Sequence, residues 1–431
     1  MSKIDWYDQF VDDDYEPADS DLVALFYFEP PEGMSKEESA GRIASESSTG
    51  TWTTLSRMPD RMEGLKATSF DIDGNYLKVA YPLELWEEGS VPQLLSGIAG
   101  NIFGMKGVEN LRLLDVSLPP AYVKHFRGPN FTMDEIKKKM GVGDRPLTGA
   151  VPKPKIGFSA QEHSEVGYET WMGGFDFVKD DENLTSQTFN RFDKRVKLLS
   201  KVRDKVEKET GDKKDAFINI TAETDEMKRR ADLLHDHGFL YCMVDVVVCG
   251  FSAVQTIREH TRDLGMAIHA HRAMHAAFTR NPKHGMAMPF LAKLMRLIGV
   301  NQIHSGTAVG KLVGSREEVS SIADILREKN THGREHLILD QDWGDIKSAF
   351  PVSSGGLHPG LVPDVMDIYG NDPVLLVSGG IHGHPDGTRA GAKASMQAID
   401  AAMEGISLEE KAEEAKELGK ALEKWGHHKP K

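Results

Sequence analysis

From about residue 149 the chain settles into short apolar runs separated by helical stretches of roughly 15 to 30 residues, the signature of repeated βα units. Eight candidate strands follow: 149–156, 174–181, 215–223, 241–250, 266–272, 301–309, 350–356 and 374–380. Eight units in roughly 250 residues fit a closed (β/α)8 barrel better than an open sheet. Ser159 with Glu162 makes a capping box directly after the first strand, a helix-entry signal in the right place. The residues ahead of the barrel carry a different pattern. An aromatic-rich run at 22–28 suits a strand, and Ser35 with Glu38 opens a helix. Asp73-Gly74 reads as a hairpin turn with 76–81 as its second arm; a short helix near 94–98 and a strand near 111–118 complete a β-α-β-β-α-β order. The expected fold class is α/β: a ferredoxin-like α+β domain over 1–140, then a (β/α)8 barrel over 141–431 with a C-terminal helical extension. The stretch 408–425 reads as one helix packed on the barrel by one face.

A chain of 431 residues, 39% hydrophobic, is long enough to bury two cores. Its net charge of -14, without a Lys/Arg cluster, argues against a nucleic-acid partner. No apolar run long enough for a bilayer is present and no signal peptide precedes the acidic start, so no membrane is expected and the location reads as cytoplasmic. Cys242 and Cys249 lie seven positions apart, an odd separation along a strand-like run, which points them to opposite faces and argues against a disulfide.

Barrel enzymes build their sites from the C-terminal ends of the strands. The first strand ends in Lys153-Pro154-Lys155, two lysines of one parity, and the second in Lys179-Asp180-Asp181-Glu182. The fifth carries His269, His271 and Arg272, the sixth His304, the seventh Ser353-Ser354-Gly355-Gly356 and the eighth Ser378-Gly379-Gly380. A charge run alone is usually a solvated face; the apolar residues 175–178 before this one put it at a strand mouth. Carboxylates crowded there suit an oxygen-seeking cation such as Mg²⁺, with Asp180 set aside because its strand parity is opposite to that of Asp181. His269 and His275 read equally well as hydrogen-bonded core residues. Arg272 offers bidentate contacts to phosphate or carboxylate. Ser-Gly-Gly after the last two strands falls where phosphates bind in such barrels. Residues 307–314, with glycines around Lys311, resemble a mobile lid carrying one cation. Two phosphate sites flanking a carboxylate metal site describe a bisphosphate substrate with a metal-stabilised enediolate.

These residues resemble ribulose-1,5-bisphosphate carboxylase/oxygenase large chains along nearly the whole chain. The segments are GTWTT (50–54), GNIFG (100–104), KPKIG (153–157), GGFDFVKDDEN (173–183), HAHRAMHA (269–276), IHSGTAVGKL (303–312), SSGGLHP (353–359) and GGIHGHPDGTRAGAKA (379–394). The last, with DVVVCGFSAVQ (245–255), is most similar to the archaeal form III type. The resemblance implies a magnesium-dependent carboxylase that converts ribulose 1,5-bisphosphate and CO₂ to two 3-phosphoglycerate, with O₂ competing. Lys179 would be carbamylated by an activating CO₂ and, with Asp181 and Glu182, hold Mg²⁺; the carbamate would be the base. Lys153 would protonate C2 of the cleaved product, Lys155 would polarise, His271 would assist proton transfer at the C3 oxygen, and Lys311 would close over the site. Arg272, His304 and Ser354 would hold one phosphate; Thr51, Trp52, Lys311, Gly356, Ser378 and Gly379 the other. Glu46, Thr51, Trp52 and Asn101 would reach the mouth of a neighbouring subunit, so the active unit would be a homodimer or an oligomer of dimers, without a small subunit. AMP salvage is the pathway that the archaeal type implies.

Two departures stand out. Ser378 occupies a position where relatives often carry glycine, and Pro152 replaces a usual aliphatic residue, removing one N–H ahead of Lys153. A carboxylase-like enolase or isomerase of a related sugar phosphate is the runner-up; it would keep the metal triad and lose some of the lysine and phosphate residues. A non-catalytic assembly protein on the same fold would not need to retain the reacting groups.

Overall fold

The computed structural model describes residues 6–51, 57, 59–309 and 315–428. Trp52 and Lys311 lie outside them. The chain divides into two compact units: Met1–Gly128 with Met274–Ile298 and Glu328–Ile346, and Pro129–Ala273 with Gly299–Arg327 and Lys347–Lys431.

The first unit is organised by a five-stranded sheet. Its strands are β1 (Leu22–Glu29), β2 (Thr68–Asp73), β3 (Tyr76–Tyr81), β4 (Asn110–Ser117) and the two-residue β10 (Gly285–Met286), while β12 (Asn330–Thr331) and β13 (Gln341–Asp342) pair separately. The order β4-β1-β3-β2, with antiparallel pairings throughout, is the ferredoxin-like arrangement expected from the sequence. Gly74, at φ 58°, makes the β2–β3 turn in a conformation that a residue with a Cβ seldom adopts. Ser35 accepts from the Glu38 N–H to start the helix Lys36–Glu46. Segments distant in sequence are tied in by a buried ion pair. Lys293 Nζ donates to Asp115 Oδ2 (2.6 Å) and to the Val116 carbonyl (2.7 Å), and Leu339 N–H also donates to Asp115 Oδ2 (2.8 Å). Removing either charge would strand the other in the core, at about 3–5 kcal/mol.

The second unit is the barrel. Its strands are β5 (Leu147–Ala150), β6 (Phe177–Lys179), β7 (Asp215–Phe217), β8 (Tyr241–Asp245), β9 (Ala267–His271), β11 (Gln302–His304), β14 (Phe350–Ser354) and β15 (Val374–Leu376). All eight pair in parallel in the order β7-β6-β5-β15-β14-β11-β9-β8. An isolated bridge, Asn219↔Met243, joins the two ends, with Met243 N–H donating to Ile218 O at 2.9 Å and Ile220 N–H to Met243 O at 3.0 Å. Inward side chains, among them Leu147, Phe177, Phe217, Tyr241, Met243 and Phe350, fill the interior as a core; the Phe177 and Phe217 rings stack at 4.3 Å.

Every expected barrel strand has a counterpart, and each ends earlier than the apolar pattern predicted. Apolar residues continue past the last ladder bond because the mouth loops pack inward too. The first strand stops at Ala150, so Lys153 and Lys155 sit on a loop and the parity argument does not apply to them; Lys155 is exposed. Cys249 likewise lies beyond β8, and both thiols are free. The single C-terminal helix is two, Leu408–Glu414 and Lys416–Trp425, broken at Ala415. The Leu418 N–H in the first turn of the second is capped by Gln397 Oε1 of the helix Thr388–Glu404, and the break lets Leu408 and Leu418 both be buried against the barrel. Among the described residues no helix is long and apolar enough to cross a membrane.

Candidate active site at the barrel mouth

Strand β6 delivers four consecutive polar residues to the mouth, and their alternation separates them. Asp180 turns into the barrel wall. Arg195 Nε and Nη2 lie 3.0 and 2.9 Å from its Oδ2, Asn219 N–H donates to the same oxygen at 3.0 Å, and His163 Nε2 is 3.2 Å from Oδ1. Burial alone would raise its pKa; Arg195 foremost, with His163, outweighs that and holds the carboxyl below its ordinary value. Asp180 is thereby occupied as a structural anion. Asp181 faces the other way, its Oδ1 accepting from Asn183 N–H (3.2 Å) and Nδ2 (3.0 Å) and its Oδ2 lying 3.4 Å from Lys153 Nζ. Burial opposes its ionisation, but those hydrogen bonds with the charges of Lys153 and Lys179 keep its pKa low.

Lys179 is fully buried, its Nζ donating to the Asp180 carbonyl at 2.8 Å. Burial lowers its pKa; the surrounding Glu182, Asp245, Asp181 and Asp180 charges oppose this without cancelling it. A lysine so placed is biased toward the free amine. Two carboxylates beside a buried amine form a hard oxygen donor set if that amine gains a carboxylate of its own, so the residues present fit Mg²⁺. His271 bridges toward the same group, with Nε2 3.7 Å from Glu182 Oε2 and Nδ1 3.3 Å from Asp245 Oδ1. Its Nδ1 also accepts from the Ala273 N–H at 3.1 Å, so the neutral ring carries its proton on Nε2 and leaves Asp245 Oδ1 unpaired; protonating Nδ1 would instead serve Asp245.

The first expected phosphate group is assembled across β9, β11 and β14. His304 Nδ1 lies 2.7 Å from Ser354 Oγ, and His304 Nε2 3.0 Å from His269 Nε2, whose Nδ1 is 2.6 Å from Gln302 Nε2. With the Gln302 amide donating, the chain reads Gln302→His269→His304→Ser354, both rings neutral; burial pulls both imidazole pKa values well down. His269, also stacked on Phe217 at 4.3 Å, is therefore a buried hydrogen-bonded residue that orients His304. His275 Nδ1 bonds Thr279 Oγ1 at 2.9 Å. Arg272 is buried, and burial lowers its pKa, yet no carboxylate among the described residues comes within ion-pair distance. A desolvated guanidinium in that state invites an anion.

For the second group, Gly356 and Gly379 line one cavity of about 380 Å³ with His358 and Trp425. Gly356, at φ 80°, takes a turn closed to most other residues. Ser378 Oγ is committed to the Val151 N–H at 2.9 Å. In the first unit, Asn101 Nδ2 lies 3.4 Å from Glu46 Oε1 and both are exposed, while Thr51 is half-buried. A larger cavity, about 470 Å³, belongs to that unit and is lined by Asp71, Asp73, Tyr76, Lys78 and His336. There the polar groups are half-buried or exposed and already paired, Lys78 with Asp71 (2.7 Å) and His336 Nε2 with Asp73 Oδ2 (2.9 Å). The barrel mouth is the place with desolvated groups awaiting a partner.

Asp245 and Asn219 were missed in the sequence. Asn219 Nδ2 donates to Asp245 Oδ2 at 3.2 Å and to the Glu182 carbonyl at 3.2 Å. Asp245 is the last residue of β8, so the strand-end rule would have found it; the apolar run 246–249 extended the expected strand and moved its mouth too late.

Two family profiles match, "Ribulose bisphosphate carboxylase large chain, N-terminal domain" over residues 9–122 and the corresponding catalytic domain over 132–425. A relative named ribulose bisphosphate carboxylase from Pyrococcus furiosus is 55% identical over 433 residues, covering 100% of both chains. A crystal structure of a complex of sulfate ion and octameric ribulose-1,5-bisphosphate carboxylase/oxygenase from Pyrococcus horikoshii superposes with TM-score 0.91 at 53% identity, covering 99% of this chain and 98% of that one. A dimeric archaeal Rubisco from Hyperthermus butylicus gives TM-score 0.93 at 47% identity, covering 98% and 100%.

Proposed function

Because this chain belongs to the ribulose bisphosphate carboxylase large-chain family, we propose that its barrel mouth is the active site at which ribulose 1,5-bisphosphate is carboxylated to two molecules of 3-phosphoglycerate, with O₂ as the competing gas. The observation that carries this reading is the company Lys179 keeps, a buried amine among Asp181, Glu182 and Asp245, at the same strand ends as a desolvated Arg272 that has no carboxylate partner among the described residues.

Lys179 adds the activating CO₂ through its nitrogen lone pair, losing one N–H proton to solvent as the N–C bond forms. Together with Asp181 and Glu182 it would hold Mg²⁺. The ion, when bound, supplies positive charge against the oxygens of an enediolate. Lys179 in its carbamylated form takes the C3 proton of the substrate, and His271 moves the proton at the C3 oxygen, its ring poised between Glu182 and Asp245. Arg272, His304 and Ser354 hold one phosphate, the Ser354 hydroxyl being oriented by the histidine chain behind it. Backbone groups of Gly356, Ser378 and Gly379, with Thr51, Trp52 and Lys311, hold the other. After hydration and cleavage of the C2–C3 bond, Lys153 delivers a proton to the C2 carbanion; its contact with Asp181 supports that role. Lys155 polarises the substrate. Glu46, Thr51, Trp52 and Asn101 complete the mouth of a second copy, making a homodimer the minimal unit, in line with the dimeric and octameric relatives. Two free cysteines accord with a reducing cytoplasm.

Purified protein given Mg²⁺, bicarbonate and ribulose 1,5-bisphosphate is expected to place labelled CO₂ in 3-phosphoglycerate. Exchange of the C3 proton with solvent but no label in product would favour the enolase alternative and sink this reading.

A further inference from the structure

The pairing of β5 with β15 ends at Gly149↔Leu376, where Val377 N–H donates to Gly149 O at 3.0 Å. Pro152, two residues past Ala150 at the end of β5, has no N–H with which to extend it. The backbone of Val151 is held instead by side chains from the segment after β15. Ser378 Oγ accepts the Val151 N–H at 2.9 Å, and His382 Nε2 lies 2.9 Å from the Val151 carbonyl. A carbonyl only accepts, so His382 carries its proton on Nε2. Nδ1, 3.0 Å from Thr388 Oγ1, then accepts that hydroxyl, and both ring nitrogens are committed. Burial, foremost, brings the His382 pKa down to about 4, so the ring stays neutral in this arrangement. Two residues beyond Val151, Lys153 Nζ reaches 3.4 Å from Asp181 Oδ2 while its side chain is 35% exposed. Packing around the lysine is thin, and the anchor of its backbone decides where the ammonium stands.

We propose that Ser378 and His382 are positioning residues for Lys153, gripping both backbone polar groups of Val151 so that the lysine meets the C2 carbanion formed on cleavage. The inference rests on the reading of Lys153 as the late acid. A C2 carbanion with a phosphate ester on the adjacent carbon has two fates. Either Lys153 transfers a proton, forming the C2–H bond of 3-phosphoglycerate, or the electron pair forms a C1–C2 double bond in the substrate's numbering, the C1–O bond breaks and inorganic phosphate leaves. The resulting enol takes a solvent proton at C1, releases its hydroxyl proton and becomes pyruvate. A displaced Lys153 shifts product from the first fate to the second and leaves enolisation, the work of Lys179, untouched.

The test is the pyruvate to 3-phosphoglycerate ratio in the full-length enzyme with Mg²⁺ and bicarbonate, measured beside the rate of C3 proton exchange with solvent. His382→Leu is expected to raise the ratio roughly tenfold, the scale of a sub-ångström to ångström misplacement, with exchange unchanged. His382→Gln, whose amide N–H can still donate to the Val151 carbonyl, restores most of the wild-type ratio. Thr388→Val, which frees Nδ1 without touching Val151, moves the ratio the same way by less and serves if the leucine variant does not fold. An unchanged ratio in the folded variants, or a fall in exchange in step with carboxylation, overturns the proposal. Lys153→Met is the control. If it raises the ratio and His382→Leu does not, the clamp alone is wrong; if Lys153→Met leaves the ratio unchanged, the late-acid reading falls and takes the clamp with it.

Discussion

The two ends of the barrel are built from the same residue types and treat charge differently. At the N-terminal end, Arg145 places Nη1 and Nη2 on the two oxygens of Asp176 at 2.8 and 2.7 Å, and Thr148 adds its N–H at 2.8 Å. At the C-terminal end Arg272 is more deeply desolvated and meets no carboxylate among the described residues, while Lys179 is buried with its pKa lowered. A buried charge that is paired holds the fold together; one left unpaired stores a demand that a substrate or cofactor can meet. Asp215 qualifies the rule. It lies at the quiet end, yet burial raises its pKa to about 7, and its Oδ2 accepts the N–H groups of Leu240 and Tyr241, both at 3.1 Å. A displaced pKa by itself does not mark an active site; convergence with other unpaired groups does.

Five substitutions probe this contrast. Lys179→Ala removes the amine on which the mouth is centred and is expected to lower carboxylation by roughly 10³-fold or more, read as label fixed in 3-phosphoglycerate; retention of full activity would refute the carbamate role. Asp180→Ala and Asp181→Ala, neighbours just past the end of β6, should divide cleanly. The first leaves Arg195 buried without its anion and costs about 3–5 kcal/mol in denaturant unfolding; the second costs little stability and most of the activity. Equal destabilisation of the two would break the assignment of Asp180 to the wall.

Asp215→Asn tests the quiet end. The folded-state pKa of Asp215 lies above its unfolded value, so its contribution is most favourable at low pH and is lost as pH rises from about 4 to about 7. Unfolding free energy in the wild type should therefore carry a downward component across that window, on the order of 4 kcal/mol, which the asparagine variant lacks while keeping an oxygen for both N–H groups. Parallel pH profiles would show that the carboxyl ionises without penalty. The smallest effect is expected for Arg272→Leu, which forfeits charged contacts to one phosphate worth about 2 kcal/mol, or roughly thirtyfold in KM, with stability unchanged or improved. A loss of stability would mean that Arg272 has a structural partner after all.

Much of this was legible in residue order. The β-α-β-β-α-β pattern and the eight βα units follow from hydrophobic period, capping residues and turn pairs, because those signals are local and repeat. Alternation alone separated Asp180 from Asp181, because the two residues that directly follow β6 still turn their side chains to opposite sides, one to the wall and one to the mouth. The reach of each strand was misjudged, and with it Asp245 and the true setting of Lys153, because apolar residues in an inward-packed loop look like apolar residues in a strand. What residue order does not contain is the pairing of distant side chains. Lys293 with Asp115, Gln302 with His269, and Ser378 and His382 on Val151 are joined across spans of 33 to 231 residues. Their partners are set by which surfaces the folded chain presses together, so only the tertiary structure decided them, and with them which charges were satisfied and which were left for chemistry.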